Sequence, residues 1–210
     1  MRIGSFARLY AVALVSLSTA TAGAQVQNGS FEVNNIGAGN YQYLSGLNAS
    51  WTFFRGAGLI NTSVGSTAFN ALPAVSGDQI AFVQGNGSYI EQVLSSLSAG
   101  TYSLGFYSAG RQSGGSYDGT TSYAVSFGGI VVGNETTASY DSWRQYLITV
   151  SAAGPSVLRF ENTSAAGDHT FFIDDVSLTA VTSTPEPASM ALLATGLIGV
   201  AGVVRRKHSA

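Results

Sequence analysis

The chain contains no cysteine, which excludes disulfides, thiolate catalysis and cysteine-ligated zinc. Charge is scarce: Asp, Glu, Lys and Arg together make up 10% of its 210 residues. Between residues 25 and 183 there is no lysine, and four arginines (Arg55, Arg111, Arg144 and Arg159) stand against ten acidic side chains. Phosphate recognition needs several Lys or Arg, so nucleic acid is excluded as a partner, and an acidic body is better suited to a hard cation. His169 is the one histidine in that span, and the chain has no G-x-S-x-G and no H-E-x-x-H motif. Asp174 and Asp175 are adjacent, whereas glycoside cleavage needs two separated carboxylates across a cleft. The expected protein is not an enzyme.

What the chain does have is glycine, aromatics and two unlike ends. At the N-terminus, Arg2 and Arg8 flank an apolar core from about Leu9 to Leu17, and Ala22-Gly23-Ala24 closes it. This is the layout of a secretory signal over residues 1–24, cleaved before Gln25. The span 25–181 alternates apolar and polar residues in short runs. Tyr102, Leu104 and Phe106 share one face of a strand, as do Tyr123, Val125 and Phe127, and as do Tyr146, Ile148 and Val150. The runs are punctuated by "GNG" at 85–87, "SAG" at 98–100, "FGG" at 127–129 and "AAGP" at 152–155. Nine or ten strands without a helix predict an all-β, antiparallel sandwich or jelly roll. N-x-S/T triplets begin at Asn28, Asn48, Asn61, Asn86, Asn134 and Asn162 and read as turn formers. Exposed rings can serve as sugar platforms beside a few orienting polar groups. On this ground Tyr41, Tyr43, Arg111 and Tyr117, in the polar loops 40–46 and 110–122, are the candidate ligand-binding residues. Trp51, in "WTFF", reads as core instead.

Two separated pieces, "VQNGSFEV" at 26–33 and "FFIDDVSLTAV" at 171–181, bracket this body. Their order resembles the galactose-binding-type β-jelly roll, a group that includes many carbohydrate-binding modules. The resemblance covers nearly all of residues 26–181. It implies that Glu32 of the opening piece and Asp174 or Asp175 of the closing piece hold a structural calcium ion. It also implies extracellular polysaccharide as a partner.

The C-terminus begins with Pro185-Glu186-Pro187, a stiff connector completing a linker over 182–187. An uncharged run follows at 188–204, about the minimum for a transmembrane helix. Arg205, Arg206 and Lys207 then open a basic tail, 205–210, which the positive-inside rule places in the cytoplasm. The three parts in this order resemble the PEP-CTERM sorting signal of Gram-negative bacteria. The resemblance implies an exosortase-type membrane protease as a partner and a link to exopolysaccharide and biofilm. The protein would be anchored in the inner membrane before processing and then be at the cell surface or extracellular, with a structural or adhesive role. A dedicated carbohydrate-binding module with a defined sugar pocket is the alternative.

Overall fold

A computed structural model describes residues 26–65, 68–112 and 119–181. The expected signal at 1–24, the linker, the helix and the basic tail lie outside these residues, as does Tyr117.

Twelve strands form two six-stranded sheets. One sheet, called A, contains β1 (Tyr41–Tyr43), β4 (Ala57–Asn61), β5 (Gln79–Gln84), β12 (Thr170–Ala180), β7 (Gly100–Gly110) and β10 (Arg144–Ala152), in that spatial order. The other, sheet B, contains β2 (Gly46–Asn48), β3 (Trp51–Phe54), β6 (Tyr89–Leu94), β11 (Ser156–Asn162), β8 (Thr120–Phe127) and β9 (Ile130–Ala138). Every neighbouring pair is antiparallel. The count exceeds the nine or ten read from sequence because strands such as the three-residue β1 and β2 are too short for period two to register. Part of the 40–46 stretch read as loop is therefore strand β1. Gly128 and Gly129, both at positive φ, make the two-residue hairpin between β8 and β9.

The sheets close on a core in which alternate residues interdigitate. Trp51, Phe53 and Ile90 meet Leu104, Phe106, Tyr123, Phe160 and Phe171, all buried. Trp51 is fully buried, as expected, and its indole N–H donates to the Asn28 carbonyl at 3.0 Å. Of the N-x-S/T asparagines, Asn28 and Asn86 fall in turns, but Asn48, Asn61, Asn134 and Asn162 lie in strands. Asn61 and Asn162 are buried; the Asn162 amide donates to the Val83 and His169 carbonyls, an anchoring role that burial selects over a turn.

Sheet A has a second apolar layer on its outer face. Ile60, Ile80, Phe82, Ala109 and Phe172 pack there under the segment that links β4 to β5, which brings Phe69, Ala71, Leu72 and Ala74 over them. The opening and closing pieces of the domain fasten this arrangement. Gly29 lies so close to β12 that a Cβ would sit 1.9 Å from the Val176 carbonyl oxygen, and the Val176 N–H donates to the Gly29 carbonyl at 2.9 Å. The register of β12 shifts between Asp174 and Ser177, with Asp175 at φ 50, so the strand bulges there.

Candidate functional site

Tyr41 and Tyr43 are on the same face of β1, two residues apart, and their register places them over Ile60 and Gly58. Gly58 in turn pairs with Phe82. A Cβ at Gly58 would come within 2.8 Å of the Phe82 ring, so this glycine is what lets Tyr43 and Phe82 meet edge to face at 5.0 Å. Tyr41 stands edge to face with Phe69 at 5.6 Å, and Phe69 leans on Phe82 at 5.1 Å. The result is an aromatic patch at one end of the outer face of sheet A. Two of its rings remain open to solvent, Tyr41 at 52% and Tyr43 at 46%.

Polar groups border the patch in a connected series. The Tyr43 hydroxyl donates to Gln84 Oε1, and Gln84 Nε2 donates to Asp168 Oδ1. The Arg111 guanidinium donates to Asp168 Oδ2 at 2.8 Å and lies over the Phe69 ring at 4.6 Å from its centroid. Burial, reinforced by the nearby Asp168 charge, raises the Tyr43 phenol above its ordinary value, so Tyr43 presents a neutral O–H. Tyr41 and Tyr43 stand at 80° to each other, 6.1 Å between centroids, so they form no common plane but an apolar corner with fixed donors and acceptors beside it, which suits a polyhydroxylated ring rather than a charged one. Three of the four ligand-binding residues expected from sequence, Tyr41, Tyr43 and Arg111, are brought together here. Phe69, Gln84 and Asp168 complete the cluster, and sequence reasoning missed all three. Phe69 sits outside any strand, so it has no periodicity, and Gln84 and Asp168 join only through the pairing of β5 with β12.

The carboxylates expected at a metal converge on a different segment. Glu32 Oε1 accepts the N–H groups of Asp78 at 2.9 Å and Gln79 at 2.6 Å. Asp174 Oδ2 accepts those of Val75 at 2.7 Å and Ser76 at 3.0 Å, and its Oδ1 accepts the N–H of Asp175. Gly77 is pressed against the Glu32 carboxylate, with no room for a Cβ. Asp174 is fully buried while Asp175 is exposed, so the two neighbours face different surroundings. Desolvation pushes the Asp174 carboxyl up to about 7; its hydrogen bonds work against this, and the charge of Asp175 adds to it. Among the described residues no arginine or histidine forms an ion pair with Asp174. The donor set is all oxygen, as calcium requires, and a cation would meet the unbalanced charge of Asp174. Among the described residues no three acidic or histidine side chains gather around one point, so the remaining ligands would be backbone carbonyls.

The outer face of sheet B carries a second arrangement. Arg159 lies between Glu91, at 2.6 Å, and Glu161, at 3.6 Å, and over the Tyr89 ring at 4.0 Å. Tyr89 stacks on Phe54 at 4.8 Å, and Arg55 lies beyond Phe54. Beside this ladder runs an open groove of about 770 Å³ floored by Val93, Ser126, Val131 and Val157. Both faces of Tyr89 are already covered, so no free ring platform exists on it.

The fold so described, two antiparallel six-stranded sheets with a jelly-roll order, is that of carbohydrate-binding modules. Solved structures bear this out. The chain is similar to the CBM22-1 xylan-binding domain of Xyn10C from Paenibacillus barcinonensis, with a TM-score of 0.52 and 14% identity over 80% of this chain and 100% of that one. It is also similar to the K2 cleaved adhesin domain of Lys-gingipain, with a TM-score of 0.51 and 13% identity over 77% of this chain and 99% of that one. Residues 183–207 match the PEP-CTERM protein-sorting motif, which marks an exported protein. Among curated proteins, none matches the sequence.

Proposed function

We propose that this is an exported, non-enzymatic carbohydrate-binding protein that holds extracellular polysaccharide on the aromatic patch of sheet A. The observation that carries the reading is the convergence of Tyr41, Tyr43 and Phe69 with the Tyr43–Gln84–Asp168–Arg111 series on one exposed surface. The two tyrosines offer exposed apolar ring surface, and the series fixes the orientation of the polar groups beside them. Such a surface serves a structural or adhesive role in an extracellular matrix. The sorting motif supports recognition by an exosortase-type membrane protease, transient anchoring in the inner membrane and release to the cell surface.

Calcium belongs to this proposal as a structural ion. Glu32 and Asp174, with Asp175 beside them, would hold it together with carbonyl oxygens. It would supply the positive charge that buried Asp174 lacks and so pin the 75–79 segment over the outer layer of sheet A. The protein's own carboxylates already orient that segment through four of its backbone N–H groups, those of Val75, Ser76, Asp78 and Gln79.

The test is a glycan array with the 25–183 fragment, followed by Tyr41→Ala and Tyr43→Ala. Reproducible binding to one glycan class, lost in the double variant, supports the reading. Binding that survives the double variant and fails in Glu91→Ala moves the site to the sheet B groove and overturns it.

A further inference from the structure

The two sheets have four edges among the described residues: β1 and β10 in sheet A, β2 and β9 in sheet B. An open edge presents unpaired backbone N–H and C=O groups that can pair with another chain, so folded proteins keep their edges short, charged or bulged. Three of the four follow that rule. β1 and β2 have three residues each. β9 carries Gly133 and Glu135, and the register between it and β8 shifts at Val125 and Ser126. β10 does not follow it. It runs for nine residues in unbroken register with β7, and "QYLITVS", residues 145–151, holds no charge, proline or glycine.

The register also tells which backbone groups face outward. The Val181 N–H donates to the Thr101 carbonyl, so Thr101 directs its backbone groups toward β12. Successive residues of an antiparallel ladder bond to opposite sides. Tyr102, Leu104 and Phe106 therefore turn theirs toward β10, where they pair with Val150, Ile148 and Tyr146. The alternate residues of β10, which are Gln145, Leu147, Thr149 and Ser151, direct N–H and C=O to the open side. Among the described residues nothing bonds to these groups. All four residues are exposed, Leu147 at 71%.

This strand is complementary to itself. Two antiparallel copies related by a two-fold axis at Ile148 set Leu147 opposite Thr149 and Gln145 opposite Ser151, each twice. All four outward residues then lie in bonded pairs, with about eight hydrogen bonds between the chains. Arg144 falls opposite Ala152, so no like charges meet. Half-buried Ile148, which lies against Gly133 of β9, meets its own counterpart.

We propose that β10 is a self-association edge whose occupant is β10 of a second copy of this chain. Sheet A then continues through both copies. β1, which carries Tyr41 and Tyr43, is the opposite edge of the same sheet, so both aromatic patches stay free. Pairing turns one polysaccharide contact into two on one assembly, the second made at high effective concentration. That consequence rests on the glycan reading; the association itself does not. One strand pair is a small interface, and it gains where copies are concentrated in a matrix.

Sedimentation velocity of the 25–183 fragment, which spans both sheets and their core, tests this from micromolar to near-millimolar concentration without glycan. A reversible monomer–dimer equilibrium is expected. Leu147→Lys with Thr149→Lys sets like charges opposite each other and is expected to weaken dimerisation about tenfold or more. Leu147→Glu with Thr149→Glu is expected to do the same, and a mixture of the two variants is expected to regain a dimer with one chain of each. Leu47→Lys, on the exposed β2 edge, is expected to leave the equilibrium unchanged. Thermal melts show whether each variant is folded. A wild-type fragment that stays monomeric throughout overturns the proposal. A dimer that persists in the folded lysine variant, or a mixture that fails to associate, overturns it too. Glycan binding by a fragment that never dimerises removes this edge and leaves the aromatic patch standing, so the two failures are read separately.

Discussion

The two sheets have opposite outer faces. The outer face of sheet A is roofed over its middle strands: Phe82 and Phe172 lie fully buried beneath the segment that carries Phe69 and Leu72, while Tyr41 and Tyr43 at the β1 end and Leu147 on β10 stay exposed. The outer face of sheet B is bare, with Val93 and Val131 exposed beside an arginine between two glutamates. A sheet in a two-layer sandwich needs only one apolar face. Adding a roof converts a solvated face into a second small core, and that core makes the tyrosines at its rim rigid. The bare face keeps its aromatics in place by stacking them against arginines instead. Binding surfaces gain from rings whose freedom is already spent, and in sheet A the roof supplies that rigidity while leaving ring surface exposed.

The sharpest way to break the comparison is to empty the roofed layer. Phe172→Ala removes a ring buried beside Phe82 beneath the roof and is expected to destabilise by about 3–5 kcal/mol. Val131→Ala on the bare face is expected to change stability by less than about 0.5 kcal/mol. Urea unfolding of both variants measures the difference; equal effects would show that the roof adds no core.

The next effect is a pH dependence from the residue that holds the roof down. The Asp174 carboxyl is raised from its ordinary 3.8 to about 7 in the folded protein. The native state therefore binds more protons than the unfolded chain across that window. Its contribution to stability is full below about pH 4 and is lost as pH rises through about 7. Without added metal, the urea midpoint is expected to fall over this range, and Asp174→Asn is expected to flatten the fall. Excess calcium after EGTA is expected to restore stability most near neutral pH, where the carboxylate is charged. A melt that ignores both EGTA and calcium removes the ion from the account.

The smallest effect belongs to the bare face. Arg159→Ala loses a partly exposed ion pair and a ring contact, and leaves Glu91 and Glu161 facing each other. A loss of about 1 kcal/mol is expected, with the salt dependence of stability reduced. A loss as large as that of Phe172→Ala would show that the ladder is a core element and not a surface one.

These effects also mark what the sequence discloses and where it stops. Period two in Tyr102-Leu104-Phe106 and Tyr123-Val125-Phe127 placed those side chains inward, and the structure buries all six. "GNG" at 85–87 and "FGG" at 127–129 located turns, because Gly85, Gly87, Gly128 and Gly129 take positive φ, whereas "SAG" at 98–100 did not: the turn falls at 95–96 and Gly100 opens β7. Tyr41, Tyr43 and Arg111 were singled out because they stand in polar, aromatic-bearing stretches, and the fold brings these three together. Their partners were not, since Asp168 reaches Arg111 across 57 positions of sequence and only strand order brings them together. The roof was illegible for the same reason: "AFNALPA", residues 68–74, has no period, and its packing is dictated by the apolar outer face of the strands below it.

The central claim is that the open end of the roofed face holds glycan. Isothermal titration of the wild-type 25–183 fragment, using whichever polysaccharide the array selects, tests it most directly beside Tyr41→Ala/Tyr43→Ala and Arg159→Ala. The account predicts that the tyrosine variant, still folded by its thermal melt, loses about 2 kcal/mol or more of affinity, the scale of aromatic hot spots. Arg159→Ala should bind as wild type. The reverse pattern, with the tyrosine variant unaffected and Arg159→Ala inert, would contradict it.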